Sequence, residues 1–309
     1  MNRYLYKYVG PEFIDKVFSA PEVVTLKCAY PSEFNDPYEL FLTMDFKEKP
    51  ELIAFYADVV GELPQLPTTC FSRSPAVVPM WAHYSNNLQG FALEIDQATL
   101  EVKFPKSGFG DVDYRDEPSD AVAGNLFRAY EIGKFRYMHF LRKSVFISAY
   151  YTKQLCWAYE MECRMIAAES EVSKRDGLML LDVPISCVHS IVCGPRVTAA
   201  TVEHLRIKAE SIGCRFIKMQ IGRSSSTPFF ITSDGNPAVF DGTGISPVRY
   251  SCMNCKEPIL EKTERCSWCQ IDDSHRQNAA NRNSYRTLAQ YGMLESYIEN
   301  VNRIDRGEG

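Results

Sequence analysis

The stretch Trp157-Ala158-Tyr159-Glu160-Met161-Glu162-Cys163-Arg164-Met165-Ile166-Ala167 reads as a strand entered from a short polar turn. Side chains two apart on a strand share a face. The spacing therefore directs Glu160, Glu162 and Arg164 one way, and Met161, Cys163 and Met165 the other way into a core. Two carboxylates and a guanidinium on one sheet face form either a charged surface ladder or the floor of a reactive site. A second dense stretch, Met80-Trp81-Ala82-His83-Tyr84-Ser85-Asn86-Asn87-Leu88-Gln89-Gly90-Phe91-Ala92-Leu93-Glu94, also gathers aromatic, imidazole and carboxylate groups. The expectation is that both stretches border one pocket.

Outward from these, the chain alternates strand and helix signals. Leu5-Tyr6-Lys7-Tyr8 is a short aromatic strand closed by Gly10-Pro11, residues 12–20 carry a helical spacing, and Val23 to Cys28 returns as a strand. Ser32-Glu33-Phe34-Asn35-Asp36-Pro37-Tyr38-Glu39 is an ordered turn, because proline holds Asp36 out of the α region. A weak helix over 51–60 leads to a strand from Leu66 to Ser72, and Pro79 starts a short helix bearing Trp81, His83 and Tyr84. A strand over 90–96 follows. The longest helical pattern runs from Ser119 to about Phe146, weakened at Gly124 and Gly133, which allows two helices. Beyond the Glu160 strand lie strands at 178–183 and 188–193, a helix from Ala199 to Ile212 and a strand over 214–221. These predict an α+β body with a mixed sheet and flanking helices over residues 1–222. Residues 223–250, rich in Ser, Gly and Pro, read as a linker that packs back onto the body through Phe229-Phe230-Ile231 and Val239-Phe240.

The 309 residues carry a net charge of −5 and are 24% charged, so no global field draws nucleic acid, although a groove can still be locally basic. The N-terminus has no apolar leader and no apolar run reaches the length of a membrane helix, which implies a soluble, cytoplasmic protein. Of the eleven cysteines, Cys28, Cys70, Cys156, Cys163, Cys187, Cys193 and Cys214 stand singly among apolar residues, as buried small hydrophobes do in a reducing compartment. The remaining four form Cys252-Met253-Asn254-Cys255 and Cys266-Ser267-Trp268-Cys269. Two such C-x-x-C turns close a tetrahedral Zn²⁺ site with no open position, so the reading is a structural zinc ribbon over 251–270. The last part, 271–309, reads as a helix over 284–304 with an apolar stripe, followed by a tail. From Ser251 onward eight Lys and Arg stand against nine Asp and Glu. A protein partner or second subunit suits this module better than nucleic acid.

Leu5-Tyr6-Lys7-Tyr8, Phe34-Asn35-Asp36-Pro37-Tyr38-Glu39, Phe71-Ser72, Trp81-Ala82-His83-Tyr84 with Gly90 and Glu94, and Lys153-x-x-x-Trp157-x-Tyr159-Glu160-x-Glu162-x-Arg164 resemble a widespread bacterial family. That family is known only as a domain of unknown function and is often found with phage-defence loci; the resemblance spans roughly residues 3–220. More loosely, the order of parts is similar to an ADP-ribosyltransferase, with a polar residue on a first strand, a middle strand ending in serine and a late strand bearing Glu-x-Glu. Lys7, Ser72 and Glu160-x-Glu162 are the matching positions, and Lys7 stands where those enzymes usually carry His or Arg.

The second resemblance implies NAD as substrate. Breaking the nicotinamide–ribose bond passes through an oxocarbenium-like state, which a carboxylate stabilises. It implies Glu162 in that role, Glu160 orienting or deprotonating the acceptor, and Arg164 anchoring the carboxylates or reaching a phosphate. Tyr6, Tyr8, Trp81 and Tyr84 would form a stacking wall, and Asn35 and Asp36 would hold ribose hydroxyls. His83 would pair with Glu94 or carry a proton. The function expected is an effector in defence or a toxin system that consumes or transfers from NAD. Two alternatives stay open. One is a metal-dependent nuclease or hydrolase using Asp36, Glu39, His83 and Glu94, although no H-E-x-x-H, nucleophile elbow or phosphate-cradling glycine loop is present. The other is a non-catalytic sensor or adaptor.

Overall fold

The computed structural model describes residues 4–40, 43, 45, 47–118 and 120–307. It divides into two compact units, residues 1–248 and 249–309.

The first unit is α+β. Its strands in chain order begin with β1 (Tyr4–Val9), β2 (Val23–Cys28), β3 (Thr68–Ser72) and β4 (Phe91–Asp96). Then come β5 (Gly108–Asp111), β6 (Asp113–Tyr114), β7 (Thr152–Lys153) and β8 (Glu162–Ile166). After them run β9 (Ser173–Arg175), β10 (Leu178–Pro184), β11 (Val188–Cys193) and β12 (Arg215–Gln220). The helices interleaved with them are α1 (Ile14–Val17), α2 (Pro50–Val60), α3 (Val78–Tyr84), α4 (Gln97–Lys103), α5 (Asp120–Ile132), α6 (Phe135–Tyr151) and α7 (Ala199–Ile212).

Residues 223–250 depart from the linker reading. Their two apolar spots become β13 (Phe229–Thr232) and β14 (Pro237–Phe240), joined by a tight turn at Gly235, and β15 (Ile245–Pro247) follows. All three extend one mixed ten-stranded sheet of order β15-β14-β13-β12-β11-β4-β1-β3-β8-β5. Its only parallel pairing, β11 with β12, is crossed by α7. A three-stranded sheet, β2-β10-β9, packs against it, with Val24, Leu26, Leu181 and Val183 in one apolar cluster with Leu5, Phe71 and Leu93, and Ala29 bridged to Thr68.

Alternation sorts each strand between two cores. Leu5, Val9, Phe71, Leu93, Cys163 and Met165 join one apolar cluster, while Tyr6, Tyr8, Trp81, Ala92 and Met219 join a second. A third cluster sets α2 against α5 and α6 through Leu52, Tyr56, Leu126, Leu141 and Val145.

One joint in the large sheet is thin. β1 pairs with β4 at six positions and β3 with β8 at five, but β1 and β3 share only Tyr6 opposite Ser72.

Several local readings need correction. The helix expected over 12–20 is a 3₁₀ turn, Pro11–Phe13, followed by the single turn of α1. The long helical pattern is two helices, as its weakening at Gly133 allowed; the break falls there, where a φ of 64° favours glycine. The Glu160 strand begins only at Glu162, because Leu155–Glu160 is a 3₁₀ helix and Met161 is left-handed (φ 46°, ψ 49°). Met161 is accordingly 44% exposed instead of core. Among the single cysteines, Cys28, Cys163, Cys187 and Cys193 are buried as expected, but Cys156 is exposed.

In the second unit the single terminal helix is instead α8 (Asp273–Arg282), α9 (Ser284–Gln290) and α10 (Leu294–Asp305), the last two separated at Gly292. Among the described residues no helix is long and apolar enough to cross a membrane.

Candidate functional site

The left-handed Met161 turns the chain so that the Glu160 carboxylate still reaches its neighbours from the end of a 3₁₀ turn. Glu160 Oε1 accepts from the Tyr84 hydroxyl at 2.5 Å and Oε2 from Lys153 Nζ at 2.7 Å. Its backbone carbonyl accepts from Ser72 Oγ at 2.6 Å. Glu162 and Arg164, on one face of β8, bond side by side: Nε donates to Oε1 at 2.9 Å and Nη2 to Oε2 at 3.2 Å.

Arg164 also forks onto Glu39, with Nη2 at 2.6 Å and Nη1 at 2.8 Å, while Nη1 donates to the Tyr150 carbonyl at 2.8 Å. All five guanidinium N–H groups thereby have an acceptor, which a fully buried arginine requires. Lys153 completes the cluster, 3.5 Å from Glu162 and 3.8 Å from Glu39, with its ammonium 4.6 Å from the centre of the Trp157 ring. Three buried carboxylates thus share two cations.

The environment splits the carboxylates. Burial pushes the Glu162 carboxyl up, but the charges and hydrogen bonds of Arg164, with Lys153, outweigh it and lower its pKa to about 2. At Glu160 burial prevails, helped by the Glu162 charge, and the pKa is raised despite Lys153. Glu39 is raised for the same first reason, against Arg164. For Lys153, burial is outweighed by Glu162 and Glu160, which raise its pKa. Two carboxyls of one cavity with pKa values moved in opposite directions are the usual starting point for separate acid–base and charge-stabilising roles.

A cavity of about 330 Å³ lies at the thin joint between β1 and β3 and includes Glu160, Glu162 and Lys153 in its lining. Tyr6, Lys7 and Tyr8 contribute from β1, Cys70, Phe71 and Ser72 from β3, and Tyr84 and Asn35 from the flanking α3 and the Phe34 turn. Both dense stretches therefore border one pocket. Lys7 spans the joint, its Nζ donating to Thr69 Oγ1 at 3.0 Å and to the Cys70 carbonyl at 2.9 Å, and burial lowers its pKa.

Other expected site residues fall elsewhere. Trp81 is fully buried and its indole N–H donates to the Pro75 carbonyl, so it is core and not a stacking wall; Tyr8 packs edge-on against it. His83, two residues and thus more than half a turn away, is exposed, with the rings of Tyr84 and Tyr159 beside it. It does not pair with Glu94. That buried carboxylate instead accepts from the Tyr6 hydroxyl at 2.8 Å, from Ser190 at 2.5 Å and from Arg215 at 3.1 Å. Asp36 is buried and caps its own turn, Oδ1 accepting from the Tyr38 N–H at 2.9 Å, so it offers little to a ribose. Arg164 anchors carboxylates and does not line the cavity.

Glu39 and Lys153 are the residues the sequence reading left out of this site. Lys153 was visible as the first residue of the Lys153-to-Arg164 motif; Glu39 closed the Phe34–Glu39 motif and was named only for the nuclease alternative, and nothing local ties it to Arg164, 125 residues away.

In the second unit, one sulfur from each of Cys252, Cys255, Cys266 and Cys269 lies within 4.8 Å of every other. The Cys255–Cys266 separation is 3.8 Å, the edge expected of a tetrahedron with metal–sulfur bonds of about 2.3 Å. The cluster fits a structural metal such as zinc. Among the described residues it is the only His, Cys, Asp and Glu group with metal-ligand spacing, and Asp36, Glu39, His83 and Glu94 do not form one.

Fold and site together define an α+β protein with a buried carboxylate–cation cluster at the parting of a ten-stranded sheet, and with a four-cysteine module. Residues 80–165 match the family described as "Protein of unknown function (DUF2971)". The matched segment holds the Met80–Glu94 and Lys153–Arg164 motifs, and leaves β1, the Phe34 turn and Ser72 outside it. No curated protein and no solved structure matches the chain.

Proposed function

We propose that the β1–β3 cavity breaks the nicotinamide–ribose bond of NAD, in the manner of an ADP-ribosyltransferase. One observation carries the reading. Ser72, on the middle strand, lies directly opposite both Tyr6 of the first strand and Glu162 of the late strand, and residues of all three line one cavity. The resemblance calls for a first, a middle and a late strand side by side; the first-strand residue opposite Ser72 is Tyr6, next to the matching Lys7, which also lines the cavity.

In this reading the ionised Glu162, fixed by Arg164, stabilises the positive charge that builds on the ribose as the C–N bond lengthens. Nicotinamide departs with the bonding electron pair. Glu160, with its raised pKa and its place beside Tyr84, takes the proton from the incoming acceptor. Lys7 and Lys153 supply positive charge for the pyrophosphate, and the Tyr84 and Tyr8 rings flank the base. Such an activity suits a defence effector or toxin. For the C-terminal module we propose a structural Zn²⁺.

The test is release of nicotinamide from labelled NAD by the purified chain, with and without a cell extract as acceptor. Release that falls to background in Glu162→Gln, in protein that still folds, supports the reading. Its absence in folded wild-type protein overturns it. Binding of NAD without release would favour a second reading, a ligand sensor, for which the complete internal pairing of Arg164 speaks.

A further inference from the structure

Helix α6 carries Arg136, His139, Arg142 and Lys143 and no acidic residue, in a chain whose net charge is −5. Its inner side is fixed: Leu141 and Val145 are fully buried against α2 and α5. Its outer side is not apolar in the ordinary way. Phe135 is 82% exposed and Phe140 50%. Round the outer half at about 100° per residue stand Arg142, Phe135, Phe146, His139, Lys143, Arg136, Ile147 and Phe140, with the buried Tyr150 between His139 and Lys143 at the helix's C-terminal end.

Along the helix axis, rings and cations on that half alternate: Phe135, then Arg136, Phe140, Arg142 with Lys143, and Phe146. Beside that face, a cleft of about 290 Å³ runs between α6 and the Val60–Pro64 segment, lined by His139, Arg142, Lys143 and Phe146. Glu62 is the one acidic residue lining it. Arg142 and Lys143 enter no ion pair among the described residues, and Arg136 lies over the Tyr137 ring at 4.7 Å.

We propose that this face binds single-stranded nucleic acid, phosphates meeting Arg142 and Lys143 and bases stacking on Phe135, Phe140 and Phe146. A membrane-surface helix separates its apolar side from its charged side. Here the two kinds alternate, which matches a strand whose charged backbone and flat bases also alternate. The helix is distinct from the β1–β3 cavity, and the inference stands whether or not that cavity acts on NAD.

The test is fluorescence anisotropy of a labelled oligo(dT) or oligo(U) with the full-length protein at several salt concentrations. Binding should weaken steeply with salt. Arg142→Gln/Lys143→Gln should flatten the log–log salt slope by roughly 1.4, two contacts at about 0.7 each for a single strand. Phe135→Ala/Phe140→Ala should cost about fivefold or more per ring while leaving that slope unchanged. All four side chains are exposed, and circular dichroism checks the fold. Failure of the wild-type protein to bind at low salt overturns the proposal. So does equal binding by both variants, or sedimentation with anionic phosphatidylserine vesicles that oligonucleotide does not compete away.

Discussion

The Ser72 hydroxyl donates a 2.6 Å hydrogen bond to the Glu160 carbonyl across 88 residues of sequence. With Glu162 opposite Ser72 in the β3–β8 ladder, this bond holds the Glu-x-Glu turn against the middle strand. Ser72→Ala leaves that carbonyl buried without its donor. The expected loss is about 1–3 kcal/mol of stability in urea unfolding, together with lowered nicotinamide release at unchanged overall secondary structure.

Arg164 is fully buried between Glu162 and Glu39. Removing it strands two carboxylates, so Arg164→Met should destabilise by about 3–5 kcal/mol. Arg164→Lys keeps the charge but not the five-donor fork, and an intermediate loss is expected. A Lys variant as stable as wild type would show that the fork contributes nothing.

The carboxyl of Glu162 is depressed from 4.5 to about 2 in the folded chain. A depressed carboxyl contributes stability above its unfolded pKa and loses it as pH falls. Urea midpoints should therefore drop between pH 4.5 and 2, and that acid limb should shrink in Glu162→Gln. Glu160 is raised, so its contribution has the opposite sign: it is present below its unfolded pKa and lost as pH rises through the folded one. The low-pH limb of nicotinamide release should accordingly belong to Glu160 and vanish in Glu160→Gln.

The purified chain should carry one metal ion per molecule, lost on chelation or in Cys255→Ser/Cys266→Ser. Because residues 1–248 and 249–309 are separate compact units, metal loss should expose the second to protease while a fragment of the first survives. Elemental analysis and limited proteolysis read both outcomes.

What the sequence made legible followed from local periodicity. The two-residue spacing of Glu162 and Arg164 against Cys163 and Met165 gave their faces correctly, since β8 is regular there. The same rule failed one residue earlier: a left-handed methionine interrupts the alternation, and nothing in a Met codes for positive φ. The apolar spots at Phe229 and Val239 were strands, masked by the Ser- and Gly-rich turns around them. Trp81 and His83 could have been separated from the outset, because helical residues two apart face different ways. Glu39 could not, because its partner is set only by tertiary folding.

The great sheet is two leaves that share one ladder rung, Tyr6 with Ser72, and are otherwise tied there by side chains such as Lys7. A ligand widening the crevice would undo one pairing, whereas prising β3 from β8 would undo five. Adaptability in this protein is thus concentrated along one seam. Ligands of different bulk can be admitted there while the carboxylate cluster on the far leaf keeps its shape.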